Sequence, residues 1–247
     1  MNEWALVTGA SSGIGRAIAV ELSKSYNLVL NGRDASRLAE TAAACDPACE
    51  TRSWAYDLAE TEGLSAALSE FVASSGLVIS RFVHSAGVSK IMPVAVTRLE
   101  EVERTFRVNS IAPFEIVKTL VSKRGNSAAL KSAVFVSSAI SARGAKGHVV
   151  YGASKAALDG MMRGLAIELA PKVRVNSVQP GFVKTPMTEP VLADPATVKR
   201  LEARYPLGLG EAKSVASAVE FLLSDRANWI TGHQLAVDGG STVDITA

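Results

Sequence analysis

Tyr151 and Lys155 stand four residues apart at the start of a stretch, Tyr151 to Ala170, whose apolar spacing predicts a helix. That spacing is one helical turn, which puts both side chains on the same face. An ammonium beside a phenol favours the phenolate, so the Tyr151 pKa is expected to be drawn down from about 10. A tyrosine tuned in this way gives a proton to a carbonyl oxygen, or takes one from an alcohol, near neutral pH. Ser138 follows a predicted strand and would donate a hydrogen bond to the same oxygen as charge develops there. Ser137 precedes it, but neighbouring strand side chains point to opposite faces, so only one of the two reaches the site. A lone Tyr-x-x-x-Lys is more often a solvated helix face, and the chemical reading depends on what accompanies it.

Thr8-Gly-Ala-Ser-Ser-Gly-Ile-Gly15 accompanies it, set between the first predicted strand and the first predicted helix. Glycines belong where the backbone turns sharply, approaches a pyrophosphate, or lets a helix pack closely on a strand. The free N–H groups at the helix start, aided by the helix dipole, then hold phosphate. Gly9, Ser11, Ser12, Gly13, Ile14 and Gly15 are therefore candidate dinucleotide contacts. With this turn and Ser138 both present, Tyr151 and Lys155 read as catalytic.

These residues need a scaffold, and the hydropathy pattern supplies one. Short apolar runs predict strands at 4–8, 28–30, 52–56, 78–84, 133–137, 173–178 and 234–237. Amphipathic stretches predict helices at 15–24, 36–44, 64–73, 99–121, 151–170 and 215–223. Strands that are apolar throughout and separated by helical crossovers imply a parallel sheet buried on both faces, an α/β doubly wound (Rossmann-type) fold of about seven strands. No linker or repeat interrupts the alternation, so residues 1–247 read as a single domain. The one long irregular stretch, about 182–210, carries four prolines and reads as a lid or binding loop.

Composition narrows the function. The chain is 48% hydrophobic, enough for a large core, and its 26 basic and 24 acidic residues provide no net charge to attract nucleic acid or a membrane. Cys45 and Cys49 are too few for a disulfide framework and lack the partners of a zinc site, so free thiols on or just past a helix are expected. No His, Cys and carboxylate cluster suggests a metal. No apolar run approaches the roughly 18 residues of a membrane span, and the start has no signal-peptide pattern, so a soluble, cytoplasmic protein is expected.

The turn T-G-x-x-x-G-I-G resembles that of the short-chain dehydrogenase/reductase family, and further motifs extend the resemblance along almost the whole chain. Asp57-Leu58 follows the third strand, Ser85-Ala86-Gly87 stands where the family usually has N-A-G, and Asn109 lies in the fourth helix. Ser138, Tyr151 and Lys155 keep the family's order and spacing, which selects Ser138 over Ser137. Pro180-Gly181, with Val183 and Thr185 beyond it, follows the sixth strand, and Trp229-Ile-Thr-Gly232 and Val237-Asp-Gly-Gly240 are similar to the family's ending. The resemblance implies a nicotinamide coenzyme held by the glycine turn, Asp57, Leu58, Ser85, Ala86, Gly87, Tyr151, Lys155, Pro180, Gly181, Val183 and Thr185. It also implies that Lys155 holds the nicotinamide ribose and that Asn109 holds a water linking Lys155 to solvent. An Asn inside an apolar helix is otherwise more often a satisfied core amide. A homotetramer or dimer built on helices 99–121 and 151–170 is implied as well. Ser85 departs from the pattern, and its hydroxyl can supply only part of the bonding of an amide.

At the end of the second strand, the acid that would grip a ribose 2′-hydroxyl is replaced by Gly32, and Arg33 follows, which points to NADP(H). Asp34 comes too late for that role and is expected to cap the next helix. His84 and His233 read as structural. Ile140, His148 and Val149 are expected to line the substrate cleft opposite Phe182, Met187 and Leu192. A mainly apolar wall would favour hydrophobic or medium-chain carbonyl compounds over sugars. Two other readings stand beside a small-molecule carbonyl reductase. One is a 3-oxoacyl-[acyl-carrier-protein] reductase, which needs a basic docking surface, with Arg124, Lys131 and Lys172 as weak candidates. The other is a catalytically silent nucleotide sensor, which has no need of Ser138, Tyr151 and Lys155 together.

Overall fold

A computed structural model describes residues 3–243, so the ends of the expected domain, residues 1–2 and 244–247, lie outside the described residues. The strands are β1 (Trp4–Thr8), β2 (Asn27–Gly32), β3 (Thr51–Ala55), β4 (Ile79–His84), β5 (Ser132–Val136), β6 (Arg174–Pro180), β7 (Val183–Lys184), β8 (Gly210–Glu211) and β9 (Gln234–Val237). Seven of them form one parallel sheet in the order β3-β2-β1-β4-β5-β6-β9. The order reverses between β1 and β4, and the crevice beyond the carboxyl ends of those strands is where such a sheet receives a ligand. The doubly wound fold expected from the sequence is the fold observed.

The helices are α1 (Gly13–Leu22), α2 (Ala35–Ala43), α3 (Leu64–Ser75), α4 (Leu99–Phe106), α5 (Ala112–Val121), α6 (Lys123–Asn126), α7 (Val149–Leu169), α8 (Glu189–Leu192), α9 (Pro195–Glu202) and α10 (Ala212–Leu223). Strand alternation divides the core in two. Leu6, Val29, Phe82 and Phe135 pack with Leu64 and Leu68 of α3, Ile116 and Leu120 of α5, and Leu158 and Met162 of α7. Val7, Leu28, Leu30, Val83 and Val134 face the other way, onto Ile18 and Leu22 of α1, Leu38 of α2, and Val215 and Val219 of α10. Each large side chain buried here is worth roughly 1.5–3 kcal/mol, so both faces hold the sheet rigid beneath the site.

The helix expected over 99–121 is not continuous. A π-helical turn, Arg107–Ile111, separates α4 from α5. Pro113 is the physical reason: it has no N–H to give the carbonyl of Asn109 four residues earlier, and its ring crowds that carbonyl, so the turn widens. Nor is 182–210 irregular throughout. It contains α8 and α9, and the two-residue pairing of β7 with β8 (Val183 with Gly210, Lys184 with Glu211) ties its ends together. Asp34 caps α2 as expected, accepting from the amides of Ser36 at 2.9 Å and Arg37 at 3.2 Å. Cys45 and Cys49 follow α2 as free thiols.

Candidate active site

The glycine turn works by close approach. Gly9 adopts a positive φ of 68°, and a Cβ there would lie 2.7 Å from the backbone of Ala86. A Cβ on Gly15 would come within 2.1 Å of the Gly9 carbonyl oxygen. Only hydrogen fits at either position, and the result is an α1 N-terminus opening onto the sheet edge. Thr8 fastens the turn to the next strand, its hydroxyl accepting from the amides of Ser85 at 3.2 Å and Ala86 at 3.3 Å.

A cavity of about 320 Å³ runs from this turn along the carboxyl ends of the strands. Every residue expected to hold the coenzyme lines it: Gly9, Ser11, Ser12, Gly13, Ile14 and Gly15 of the turn, then Arg33, Asp57, Leu58, Ser85, Ala86, Gly87, Tyr151, Lys155, Pro180, Gly181, Val183 and Thr185. The cavity suits a dinucleotide. Two buried polar atoms of residues that line it, Asn31 Oδ1 and Ser85 Oγ, have no partner among the described residues. Gly87 leaves room beside Lys155, whose Nζ would be 3.5 Å from a Cβ there. Ser85 thus departs from its expected part: its hydroxyl does not replace an amide's backbone bonds.

Beyond β2 the cavity ends in cations. Arg33 lies 4.0 Å and Arg104 3.4 Å from the Asp57 carboxylate, and Arg37 joins the lining. A Cβ on Gly32 would press on Leu38 at 3.1 Å and Ser11 at 3.3 Å, so the position of the missing acid has little room for one. Arg37, Arg104, Asn31 and Tyr56 were not evident from sequence. Arg37 carries a signal, lying one turn into the helix after Arg33, whereas Arg104 arrives from α4 and carries none.

At the nicotinamide end the strand alternation separates the two serines as expected. Ser137 turns inward and donates to Asp159 at 2.9 Å, while Ser138 faces the cavity, where its hydroxyl bonds the Tyr151 phenol. Lys155 Nζ donates to the Val136 carbonyl at 2.8 Å and lies 5.9 Å from the centre of the Tyr151 ring. The expected direction of the Tyr151 pKa is overturned. Burial of the hydroxyl holds it above its ordinary value, and the bond from Ser138 offsets only part of this. The Lys155 pKa is itself lowered to about 8 by burial, against an opposing pull from Asp159. An ammonium engaged by a carbonyl and 5.9 Å from the centre of the ring does not outweigh the loss of solvent.

Asn109 is a buried, fully engaged amide. Its Oδ1 accepts from Val88 N at 2.8 Å, and its Nδ2 donates to Val88 O at 3.0 Å and Ser154 Oγ at 3.0 Å. The side chain therefore clamps the turn after β4, and a water relay would have to use the backbone carbonyl that Pro113 leaves without its usual donor. Asp159 escaped sequence reading: its carboxylate also accepts from Ser177 Oγ at 2.9 Å and Gln179 Nε2 at 3.0 Å, joining α7 to the ends of β5 and β6. The signal was its position, one turn beyond Lys155.

A second cavity, of about 640 Å³, opens from Ser138 and Tyr151 toward solvent. Ile140, His148, Phe182 and Met187 line it as expected, and the His148 ring meets that of Tyr151 edge-on at 6.2 Å. Val149 does not. It lines a neighbouring hollow with Met92, Val94 and Val102, which Tyr151 also borders. Val191, Leu201 and Tyr205 occupy the place expected of Leu192. The wall is apolar over most of its area, as expected, and Arg143, Lys146 and Arg204 stand in it as well. The docking candidates Lys131 and Lys172 lie within two residues before β5 and β6, at the amino edge of the sheet opposite this cavity, and Arg124 in α6 leads into the same edge. Among the described residues no group of three metal-ligating side chains occurs, and no helix is long and apolar enough to cross a membrane.

A doubly wound parallel sheet with a dinucleotide groove beside a Ser, Tyr and Lys set defines a nucleotide-dependent oxidoreductase. A statistical model of the family described as enoyl-(acyl carrier protein) reductase matches residues 9–242. The chain is 37% identical to D-erythrulose reductase of Gallus gallus, with 97% of this chain and 95% of that one covered. It is 35% identical to L-xylulose reductase of Bos taurus (96% and 95% covered) and 34% to 3-oxoacyl-[acyl-carrier-protein] reductase of Homo sapiens (97% and 98%). Among solved structures it resembles gluconate 5-dehydrogenase of Burkholderia cenocepacia in complex with NADP and tartrate, at 26% identity and TM-score 0.89, covering 98% and 96%. A 4-hydroxyisoleucine dehydrogenase mutant complexed with NADH and succinate gives the same identity and TM-score, covering 98% and 99%. The chain belongs to the short-chain dehydrogenase/reductase family and is an oxidoreductase of that family.

Proposed function

We propose that this chain is a single-domain, NADP(H)-dependent oxidoreductase that interconverts a carbonyl and a secondary alcohol, with Tyr151 as its acid/base. One observation carries the reading: Ser138, Tyr151, Pro180 and Gly181 line both cavities, so the proton-handling groups stand where coenzyme groove and substrate cleft meet. The bound coenzyme supplies a hydride to the carbonyl carbon, or receives one from the alcohol. Ser138 then donates a hydrogen bond to the substrate oxygen, and Tyr151 delivers the proton that balances the hydride. A phenol held above its ordinary pKa is protonated at neutral pH and so begins the reduction loaded. As it becomes phenolate, the Lys155 ammonium on the same helix stabilises the new charge. Lys155 also supports the nicotinamide ribose. Asn109 acts by holding the turn after β4 and, through its backbone carbonyl, a water behind Lys155.

The preference for NADP(H) rests on the Arg33, Arg37 and Arg104 lining and on the crowding at Gly32, which favour a 2′-phosphate over a bare hydroxyl. NADPH should exceed NADH in kcat/KM by at least about tenfold, near the 1.4 kcal/mol of one charge-assisted contact. Arg33→Asp should erase or reverse that ratio, and a native enzyme that prefers NADH would refute the assignment. Tyr151→Phe should lower kcat by about 10²–10⁴-fold while coenzyme still binds. Turnover that survives it would show that another group carries the proton.

A 3-oxoacyl-[acyl-carrier-protein] reductase is the second reading, favoured by the human relative of that name. We place subunit contacts of a dimer or tetramer on α4, α5, the π-helical turn between them and α7, where Ile111, Phe114 and Ile167 are exposed.

A further inference from the structure

The cleft leading out from Ser138 and Tyr151 carries charge of one sign. Arg143, Lys146 and Arg204 line it, and no Asp or Glu among the described residues does. The chain as a whole is nearly balanced, with 26 basic and 24 acidic residues, so the bias is local. The cations come from separate elements: Arg143 and Lys146 from the segment between β5 and α7, and Arg204 from just beyond α9. None of them is within 4.0 Å of a carboxylate among the described residues. Arg143 makes one long contact, 3.5 Å to the carbonyl of Ser241, and keeps its other donors.

Their placement is polar along the cleft. Ser138, whose hydroxyl is to bond the substrate oxygen, is a buried residue at one end, whereas Arg143, Lys146 and Arg204 are exposed at the other. Ile140, Phe182 and Leu201, half-buried, line the stretch between. The wall beside Phe182 is fixed, since the Phe182 amide donates to the Tyr205 hydroxyl at 2.8 Å and a Cβ on Gly181 would lie 2.8 Å from the Tyr205 ring. A neutral apolar compound would use the middle of this cleft and leave its mouth idle. A single-signed cleft raises the local concentration of anions and offers them charge-assisted bonds.

We infer that the substrate is an anionic carbonyl compound, its carbonyl on Ser138 and Tyr151 and its carboxylate or phosphate group on Arg143, Lys146 and Arg204 at the mouth. This rests on the carbonyl-reducing reading above and narrows its substrate class to a small anion, in place of a neutral carbonyl compound or an acidic protein carrier. The cations are exposed and therefore screened, so the preference weakens as salt rises past the point where the Debye length is about 10 Å.

The test compares 5-oxohexanoate with its methyl ester as substrates, and glutarate with glutaramide as ligands of the coenzyme-loaded protein by calorimetry. The quantity read is the acid-to-neutral ratio, from which general damage to the fold cancels. The acid should be favoured by about tenfold in both kcat/KM and affinity, the size of one charge-assisted contact. In the triple variant Arg143→Gln, Lys146→Gln, Arg204→Gln both ratios should fall to about one. A phosphorylated ketose compared with its free sugar separates the two sources of charge, and either one favoured through these residues supports the inference. A ratio near one in the native protein, or one that survives the triple variant, overturns it. So does selection of an acetoacetyl-loaded acyl carrier over acetoacetyl-pantetheine when the small acids gain nothing. If no carbonyl compound is reduced, the function proposed above fails, while the glutarate arm still decides whether the mouth binds anions.

Discussion

Lys155 is a cation kept where a cation is costly. It is 3% exposed, and burial lowers its pKa to about 8, so at neutral pH its charge is held with little margin. Asp159 works against that loss, and its own carboxylate is fastened by Ser137, Ser177 and Gln179. If the ammonium holds the coenzyme, the dissociation constant should be flat below pH 8 and rise above it, as the free protein loses the proton that binding requires. Asp159→Asn removes the group that favours the ammonium, so the same limb should begin at lower pH, nearer neutrality. Fluorescence titration of NADPH between pH 6 and pH 10 checks both, and a limb that stays in place in the variant removes Asp159 from any tuning role. The Tyr151, Lys155 and Ser138 set was legible because helix spacing and strand alternation decide which side chains share a face. Asp159 and the three cations of the cleft were not, since their neighbours come from strands and helices far away in the chain.

Elements were legible where one period governs a whole stretch. Short apolar runs placed all seven strands of the main sheet, because strands covered on both faces are predominantly apolar. Helix 99–121 misled because its apolar stripe runs unbroken through the π-helical turn, and Pro113 was the sole mark of the widening. In 182–210 the prolines suggested a loop, yet Pro190 and Pro195 stand in the first turns of α8 and α9, where a proline costs no hydrogen bond. This segment carries Phe182, Met187, Val191, Leu201 and Arg204 against the substrate cavity and is tied at both ends by β7 and β8. It should therefore close as a unit. Amide exchange over 182–209 should slow on adding coenzyme and slow further with a competent substrate. Protection that is the same in all three states would leave the segment a static wall.

At the scale of the whole molecule, the two layers of core converge on the line between β1 and β4, where the sheet order reverses. His84 ends β4 on that line, fully buried, with its Nδ1 3.0 Å from the Thr8 hydroxyl. That hydroxyl already accepts the amides of Ser85 and Ala86, which occupies both its lone pairs, so its proton is shared between the imidazole at 3.0 Å and the Val83 carbonyl at 3.4 Å. A protonated His84 would bring a third donor to an oxygen with nothing left to accept it. Burial first, and the charge of Lys155 second, accordingly hold the His84 pKa well below 6.5. The unfolded chain has no such restraint and binds a proton at about pH 6.5, where the folded chain does not. Stability is therefore fully present above pH 6.5 and falls as pH drops below it, by at most about 1.4 kcal/mol per unit from this one group. The depressed carboxylates Glu3, Glu115 and Asp238 act in the same direction but only at lower pH, below their ordinary values of about 4. Urea unfolding at pH 7, 6 and 5 isolates the histidine. The native chain should lose up to about 2 kcal/mol across that interval. His84→Asn, which can still accept from Thr8 but cannot titrate, should start less stable and lose clearly less. An equal slope in both proteins would mean that the acid sensitivity arises elsewhere, and that the junction of β1 and β4 tolerates a charge.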